Sequence, residues 1–180
     1  MEVIPSKLKD VWLIKPNHFP DWRGDFIQLD KEGDYDNLPP KIHFVERALS
    51  ISNKGVLRGM HYSPHCWKIY QCIQGALYYV FVNYDESDPE YGKQAAFILK
   101  PYDQLLKHPK YAAGMLALED NTMLLYFQEQ YYNAEDPDQQ TFKWNDPRFN
   151  IWWPTKNPKL SQRDEVGETS VGLIESLRVT

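Results

Sequence analysis

A short apolar segment from Val56 to Tyr62 carries an arginine and a histidine, and a lysine follows a few positions later. Arg58 and Lys68 bring positive charge, and the pKa of a histidine such as His61 ordinarily lies near neutral pH. This combination suits a site that binds an anionic substrate and moves a proton. Each residue also has an ordinary explanation, because a buried histidine is often a satisfied core residue and a strand arginine or lysine often faces solvent. The segment alone leaves both interpretations open.

The elements that must position these residues are strands. Runs rich in Ile, Val, Tyr, Phe and Leu, separated by Gly, Pro, Asp and Asn, predict strands at 67–73, 76–84, 95–100, 104–108, 114–118 and 122–128. Many short strands at close spacing are typical of an all-β sandwich or barrel. The best helix candidates are the segment after Gly167 and a turn near residues 33–38. Without an internal repeat or linker, we expect one domain over 1–180 with a short tail over 166–180.

Alternation along two of these strands predicts which side chains share a face. Lys68 and Tyr70 lie on one face of their strand, and Tyr126 shares a face with Leu124 and Gln128 on another. If these faces line the interior of a barrel, Lys68 and Tyr126 point at a bound ligand. Alternatively, Tyr126 packs its ring in the core and leaves its hydroxyl at the rim.

Composition narrows the class of protein. A chain of 180 residues buries roughly two thirds of its unfolded surface, so it needs no disulfide or metal to fold. No apolar run approaches a membrane span, and Met1–Pro5 lacks the order of a signal peptide, so we expect a cytoplasmic protein. A net charge of -5 disfavours nucleic acid or an anionic membrane as the partner. An anionic nucleotide would have to meet a local cluster of cations, for which the candidates are Arg23, Arg58, Lys68 and Arg163.

Several motifs, in this order along the chain, resemble one known family. They are His18–Phe26, Val56–Tyr62, Lys68–Gly75, Asp88–Gly92, Leu125–Tyr126, Tyr131–Tyr132, Trp144–Pro147, Ile151–Pro154 and Leu160–Asp164. They are similar to those of the dTDP-4-dehydrorhamnose 3,5-epimerases, which invert stereocentres beside the 4-keto group of a nucleotide-linked 6-deoxy sugar. The resemblance covers nearly the whole chain. It implies a double-stranded β-helix, the jelly-roll barrel of the cupins, with few short helices and no cofactor.

The resemblance also implies roles for the residues that move protons. His61 is the base, held in its tautomer by the carboxylate of Asp164. Lys68 stabilises the enolate oxygen, and Tyr126 donates a proton from the opposite face of the sugar. The pair Tyr131–Tyr132 supplies alternative donors. The alternative for Asp164 is a surface aspartate in a polar tail.

A second group of residues is expected to bind the substrate. The resemblance assigns Arg58 and Arg23 to the diphosphate, a task that suits bidentate guanidinium groups. Arg163, Gln28 and Gln139 are the further candidates for substrate contacts. Members of the family are homodimers in which an N-terminal strand crosses to the partner, so Arg23 is expected to serve the neighbouring subunit's site. The alternative for Arg58 is a buried pair with a core carboxylate.

Departures from the family pattern fall at positions that contact the nucleotide and the sugar. Ala113 replaces a histidine, Gln28 replaces a glutamate, and residues 46–48 read Glu-Arg-Ala instead of Gln-Asp-Asn. The segment Asp136–Gln139 is similar to divergent members that epimerise GDP-linked 4-keto-6-deoxy-heptoses for capsular polysaccharides. Such a heptose is therefore the expected substrate, with the dTDP-linked hexose of the rhamnose pathway as the alternative. Inversion at C3, at C5 or at both remains open.

Two other classes of protein compete with this interpretation. A metal-dependent cupin needs two histidines one residue apart, which His61 and His65 are not, and Cys66 and Cys72 lack CxxC spacing, so no metal is expected. A binding protein that kept the barrel and lost its chemistry would explain Ala113. It would not explain why a base, its aspartate, a lysine and a tyrosine occur together. Metal analysis and a proton-exchange assay separate these classes from the epimerase.

Overall fold

The computed structural model describes residues 1–31, 33–35, 38, 42–133 and 135–167, and within these ranges the regular structure is strands and one short helix. The elements are β1 (Glu2–Pro5), β2 (Val11–Lys15), β3 (Asn17–Asp21), β4 (Gly24–Gln28), β5 (Glu46–Ser52), β6 (Leu57–Tyr62), β7 (Lys68–Gln74), β8 (Leu77–Asn83), β9 (Gln94–Leu99), β10 (Gln104–Lys107), β11 (Tyr111–Ala117), β12 (Thr122–Gln128), β13 (Gln140–Thr141) and α1 (Gln162–Val166). The predicted all-β class is confirmed.

The strands form two antiparallel sheets and a separate hairpin. The first sheet has the order β1-β2-β10-β7-β12-β5, and the second has the order β13-β6-β11-β8-β9. Neighbours in a sheet are often distant in sequence, as where β10 lies between β2 and β7. This is the jelly-roll arrangement expected of a cupin barrel.

Inward-facing side chains from both sheets fill the space between them. Cys72 and Leu105 from the first sheet are buried in the same cluster as Leu77 and Phe81 from the second. Each fully buried side chain of this size contributes roughly 1.5–3 kcal/mol through the hydrophobic effect. The packed cluster holds the sheets face to face and leaves a cavity between them, lined in part by Tyr70.

The outer face of the second sheet is covered as well. Val80 and Val82 point away from the central cluster and pack against Phe142, Phe149 and Trp153 from the C-terminal part of the chain. β8 is therefore buried on both faces, which explains why its sequence is an almost unbroken apolar run instead of an alternating one.

The helix α1 lies immediately before Gly167, and sequence reasoning missed it. The hydroxyl of Ser161, the N-cap residue, accepts a hydrogen bond from the backbone N–H of Asp164, and Gly167 ends the helix with a φ of 72°. The helix that was expected after Gly167 lies outside the described residues, and residues 33–35 form a turn. No helix in the described ranges is long and apolar enough to cross a membrane.

Gly59 allows β6 to lie unusually close to β11. Its φ is 127°, and a Cβ atom there would lie 2.6 Å from the Cα atom of Gly114. Any side chain would therefore collide with backbone that cannot move aside. The close approach fixes the part of β6 from which His61 projects.

The hairpin of β3 and β4 stands apart from both sheets. Its strands pair with each other, and neither joins the two sheets in the part of the chain that the structure describes. Phe19, Trp22 and Phe26 expose large apolar surfaces on it, with Trp22 93% exposed. The rings of Phe19 and Phe26 lie together, with centroids 6.2 Å apart, and adjacent exposed apolar side chains are typical of a surface that another molecule covers.

Candidate active site

A cavity of about 290 Å³ between the sheets brings most of the predicted site residues together. Its walls include Arg58, His61, Lys68, Tyr126, Gln139 and Arg163. Asp164 lies behind His61 and is bonded to it. Arg23 and Gln28 lie elsewhere, on the hairpin.

His61 and Asp164 form a closely bonded pair. The Nε2 atom of His61 lies 2.6 Å from Oδ1 of Asp164, although the two residues are 103 positions apart. Asp164 is 3% exposed, whereas His61 is partly exposed to the cavity. An ionised carboxylate can only accept hydrogen bonds, so Nε2 carries the proton in this pair. In neutral His61 the lone pair is therefore on Nδ1.

Several donors keep Asp164 ionised. Burial alone would raise its pKa, but hydrogen bonds from His61, from the Ser161 hydroxyl and from the Gly59 N–H together outweigh burial and lower the pKa below its ordinary value. The Ser161 Oγ donates to Oδ2 at 2.9 Å. The start of α1 thus positions the carboxylate, and the close approach at Gly59 adds one of its donors.

Lys68 enters the cavity from β7, on the face that alternation predicted. Its surroundings exclude bulk water from the ammonium group, and this desolvation lowers its pKa. The Nζ atom donates to Ser63 Oγ at a long distance of 3.4 Å. Within the described ranges, no carboxylate forms a salt bridge with Lys68.

Tyrosine side chains form much of the wall opposite His61. Tyr126 lines the cavity from β12 of the first sheet, whereas His61 lies on β6 of the second. Burial raises the pKa of Tyr126, and the nearby Glu46 adds to this, so its hydroxyl keeps its proton at neutral pH. Of the two alternative donors, Tyr132 lines the cavity, while Tyr131 is 75% exposed and is not among the lining residues.

Two arginines reach the cavity from different elements. Arg58 is exposed on β6, and its Nε atom donates to Ser52 Oγ at 3.1 Å, so it is not the buried member of a core ion pair. The Nε atom of Arg163, on α1, donates to Thr141 Oγ1 at 2.9 Å. Within the described ranges neither guanidinium forms a salt bridge with a carboxylate, which leaves N–H groups free to bind an anion.

Arg23 and Gln28 do not reach this cavity. Arg23 forms a bidentate pair with Asp21 at the tip of the hairpin, with a shortest distance of 2.6 Å. Gln28 accepts a hydrogen bond from Asn17 across the same hairpin at 3.2 Å. Neither residue is among those that line the cavity, so both are separated from the other candidates within one copy of the chain.

Comparison with known proteins identifies the family. The sequence profile of the dTDP-4-dehydrorhamnose 3,5-epimerases matches residues 5–170. The chain belongs to this family. The enzyme of that name from Shigella flexneri is 32% identical over 177 residues, which cover 95% of this chain and 97% of the relative. Another, from Neisseria gonorrhoeae, is 35% identical over 174 residues and 94% of this chain, but the match spans 52% of that longer relative.

Solved structures of epimerases have the same fold. A dTDP-4-dehydrorhamnose 3,5-epimerase from Bacillus anthracis with TDP and PPi bound gives a TM-score of 0.86 at 30% identity, covering 93% of this chain and 98% of that one. A dTDP-6-deoxy-D-glucose-3,5-epimerase from Legionella pneumophila in complex with dTDP-4-keto-L-rhamnose gives 0.84 at 27% identity, covering 91% and 89%. The cupin fold and the family resemblance are confirmed. The chain is an isomerase of nucleotide sugars.

The substrate expectation fares less well than the family assignment. The relatives named above carry dTDP-linked sugars in their names, and none of these names mentions a GDP-linked heptose. The comparisons therefore support the dTDP-linked alternative and give no support to the heptose. The resemblance of Asp136–Gln139 to heptose epimerases was short, and in this epimerase only Gln139 of that segment lines the cavity.

Sequence reasoning missed several polar residues of the cavity, and the one that carries a charge is Lys107. Lys107, at the end of β10, is 1% exposed and lines the same cavity as Lys68. A lysine at the end of a short apolar strand normally indicates a solvent-exposed terminus. The pairing of β10 with β7 could have been the signal, because it places Lys107 opposite Lys68.

Two of the histidines outside the cavity contact other residues. His65 lies 3.4 Å from Asp138 at the surface, and His108 packs edge-on against Trp67. The part of the epimerase that the structure describes contains no group of three or more His, Cys, Asp and Glu placed to hold a metal ion. Cys66 and Cys72 are both buried free thiols.

Proposed function

We propose that this epimerase inverts the configuration at C3 and C5 of a dTDP-linked 4-keto-6-deoxyhexose. The observation that carries the proposal is that His61 and Tyr126 line one cavity from opposite sheets. Inversion requires that a proton leave one face of the sugar and another arrive on the opposite face. A single group acting from one side would return the starting isomer. Two proton-transferring groups on facing walls meet this requirement.

Proton removal is assigned to His61. The C–H bonds at C3 and C5 are acidic because each adjoins the C4 ketone, and a neutral imidazole is a suitable base near neutral pH. Asp164 fixes the tautomer with the proton on Nε2, so Nδ1 receives the substrate's proton. The resulting imidazolium is stabilised by the ionised, fully engaged carboxylate.

The enolate formed in this step is stabilised by Lys68. Its negative charge resides mainly on the oxygen at C4, and a fixed ammonium in a cavity poor in water acts strongly on charge that develops there. Lys68 has no carboxylate partner in the described ranges that would neutralise it. Its positive charge is therefore available for the substrate.

Reprotonation is assigned to Tyr126. Its hydroxyl is protonated at neutral pH because burial raises its pKa, and it faces the sugar from the wall opposite His61. Tyr132 is the alternative donor, since it also lines the cavity. Its hydroxyl already accepts a hydrogen bond from Arg163 at 3.3 Å, which ties it to the arginine instead of the sugar.

The diphosphate is assigned to the arginines at the cavity. Arg58 and Arg163 have free N–H groups, and Gln139 offers an amide beside them. Guanidinium groups bind phosphate oxygens through paired, charge-assisted hydrogen bonds. We assign dTDP as the nucleotide because the relatives that match nearly the whole chain carry that name.

We further propose that the active form is a homodimer in which the hairpin of each subunit reaches its partner. The exposed Phe19, Trp22 and Phe26 would be covered there, and Arg23 and Gln28 would complete the partner's site. Mixing an Arg23→Ala subunit with a His61→Ala subunit tests this directly. Hybrid dimers contain one complete site, so activity should return on mixing, whereas an Arg23→Ala subunit that is fully active by itself, or no recovery on mixing, would contradict the exchange.

The function is tested by deuterium uptake in heavy water. We expect 4-keto-6-deoxyglucose linked to dTDP to gain two deuterons, counted by mass spectrometry, and the same sugar linked to GDP or CDP to react more slowly. His61→Ala should abolish uptake at both carbons, because the base acts before either inversion. Uptake of one deuteron would limit the enzyme to one carbon. A preference for the GDP-linked sugar, or full uptake by His61→Ala, would contradict the proposal.

A further inference from the structure

The cavity contains a second lysine that the proton transfers described above do not use. Lys107 ends β10, and strand pairing places it directly opposite Lys68 on β7. Residues directly opposite in an antiparallel pair project from the same face, with Cβ atoms about 5 Å apart. Both residues line the cavity. The two lysines therefore enter it side by side.

Lys107 has few partners for a buried cation. Its Nζ atom makes two long hydrogen bonds, each 3.5 Å, to the backbone carbonyls of His108 and Pro109. In the part of the chain that the structure describes, no carboxylate forms a salt bridge with it. An ammonium group has three strong donors, and leaving a charge buried without a counter-charge is costly. Burial, reinforced by the charge of Lys68, lowers the pKa of Lys107 to about 7.

The surroundings of Lys107 supply no counter-charge. Tyr70 and Tyr79 line the cavity, but burial raises the pKa of both, so they are neutral hydroxyls. Ala113 and Met115 contribute apolar wall. Because the side chain of Ala113 is only a methyl group, it occupies little of the cavity. A ligand that carries negative charge would supply the partner that the ammonium lacks here.

We propose that Lys107 and Lys68 together bind the oxygen of the substrate's C4 carbonyl and share the negative charge of the enolate. This inference rests on the proposed function, in which the anion arises at that oxygen. Donors that converge on one oxygen stabilise the charged transition state more than the neutral ketone, and this difference accelerates the reaction. Lys107 is then a catalytic residue whose donors face the reacting group, and the nucleotide binds independently of it.

Lys107→Met is the decisive variant, because methionine keeps the unbranched apolar chain and removes the ammonium. We expect its kcat for deuterium uptake to fall at least tenfold, with affinity for dTDP within about twofold of wild type, since removing one donor to a developing oxyanion costs roughly 10²–10³ in kcat. Lys15→Met is the matched control. Lys15 lies on β2 of the same sheet, pairs with Asp103 and does not line the cavity, so uptake should be unchanged.

A double variant tests whether the two lysines act on one oxygen. The loss in Lys68→Met/Lys107→Met should be smaller than the product of the two single losses, because groups that act together are not additive. A loss equal to that product would overturn the shared oxygen. Lys107→Gln guards against a folding defect in Lys107→Met, and thermal unfolding of each variant is measured alongside.

The outcomes for this inference and for the proposed function are distinct. If wild type takes up deuterium and both Lys107 variants match it, Lys107 has no part in catalysis. If the Lys107 variants lose dTDP affinity as well as kcat, the ammonium binds the nucleotide and the inference is overturned. If wild type takes up no deuterium from any 4-keto sugar, the proposed function itself fails.

Discussion

The base on one wall of the cavity and the two lysines on the other wall are held in opposite ways. On β6, His61 is bonded to Asp164, and both oxygens of that carboxylate are already engaged. On β7 and β10, Lys68 and Lys107 have no salt-bridge partner in the described ranges. A satisfied network holds one proton acceptor in a fixed orientation before substrate arrives. Unpaired buried cations are destabilising until an anion binds, so the base is oriented before the substrate arrives, whereas the two lysines gain a counter-charge only when it binds.

The largest expected effect on kcat comes from removing the carboxylate that is bonded to His61. Asp164→Asn should lower kcat by about 10³–10⁴-fold, because a neutral amide neither fixes the tautomer of His61 nor stabilises the imidazolium. Asp146→Asn is the control, since Asp146 pairs with Arg148 and does not line the cavity. Rates of deuterium uptake measure the effect. A loss of less than tenfold would show that His61 needs no carboxylate.

The opposite wall is tested by Tyr126→Phe, which should separate exchange from inversion. His61 can still remove and return a proton on its own face, so washout of deuterium continues. Epimeric product falls by roughly 10²-fold, as is typical when a general acid is lost. Both are followed by NMR of the same sample. Equal loss of exchange and inversion would mean that Tyr126 only holds the substrate, and retention of both would move the role to Tyr132.

The arginines at the cavity should matter more for binding than for turnover. Arg58→Ala should weaken affinity for dTDP by about 10–100-fold, since a hydrogen bond to a charged group contributes about 1.5–3 kcal/mol. Added salt should weaken wild-type binding more than binding by the variant, because the variant has one fewer charge contact. Calorimetry measures both effects. Arg148→Ala, at an arginine that does not line the cavity, should bind like wild type; equal weakening in both variants would contradict a specific role.

The smallest expected effect is on the free energy of unfolding, which the buried charge of Lys107 lowers. The pKa of Lys107 is about 7 in the folded chain against an ordinary 10.5, so between these values the unfolded chain binds the extra proton and stability rises with pH. Lys107→Met should therefore be more stable than wild type below about pH 7, and its advantage should shrink as pH approaches 10.5. Chemical denaturation across this range measures the difference. An advantage that does not change with pH would mean that the ammonium of Lys107 is not buried.

Strands could be predicted from sequence where their residues form an apolar run. β7 to β12 have runs of apolar residues bounded by turn residues, and their predicted bounds agree to within a few residues. β5, at the edge of the first sheet, has exposed and partly buried residues in alternation and gave no such signal. β3 and β4 are largely exposed, so their pairing depends on the hairpin and its surroundings more than on burial. An apolar pattern in the sequence reflects burial, so strands that are only slightly buried do not show one.

The site could be predicted only in part for a related reason. Alternation placed Lys68 and Tyr126 on inward faces, which needs only neighbouring residues. The pairing of His61 with Asp164 joins distant parts of the chain, and the family resemblance alone indicated it. The Ser161 hydroxyl and Gly167 mark the ends of α1, but a helix of five residues shows too little periodicity to be noticed. Lys107 required the strand register, which local sequence does not contain.

The contact between the backbones of Gly59 and Gly114 determines where His61 lies. With no side chain at either residue, the spacing of β6 and β11 is set by two main chains in van der Waals contact. Main-chain atoms cannot move aside as side chains can, so the two strands cannot come closer together than this. The imidazole of His61 and the Gly59 N–H that donates to the Asp164 carboxylate both lie on β6, so this spacing positions both of them. Alignment of the reaction centre therefore depends on two residues that have no chemistry of their own.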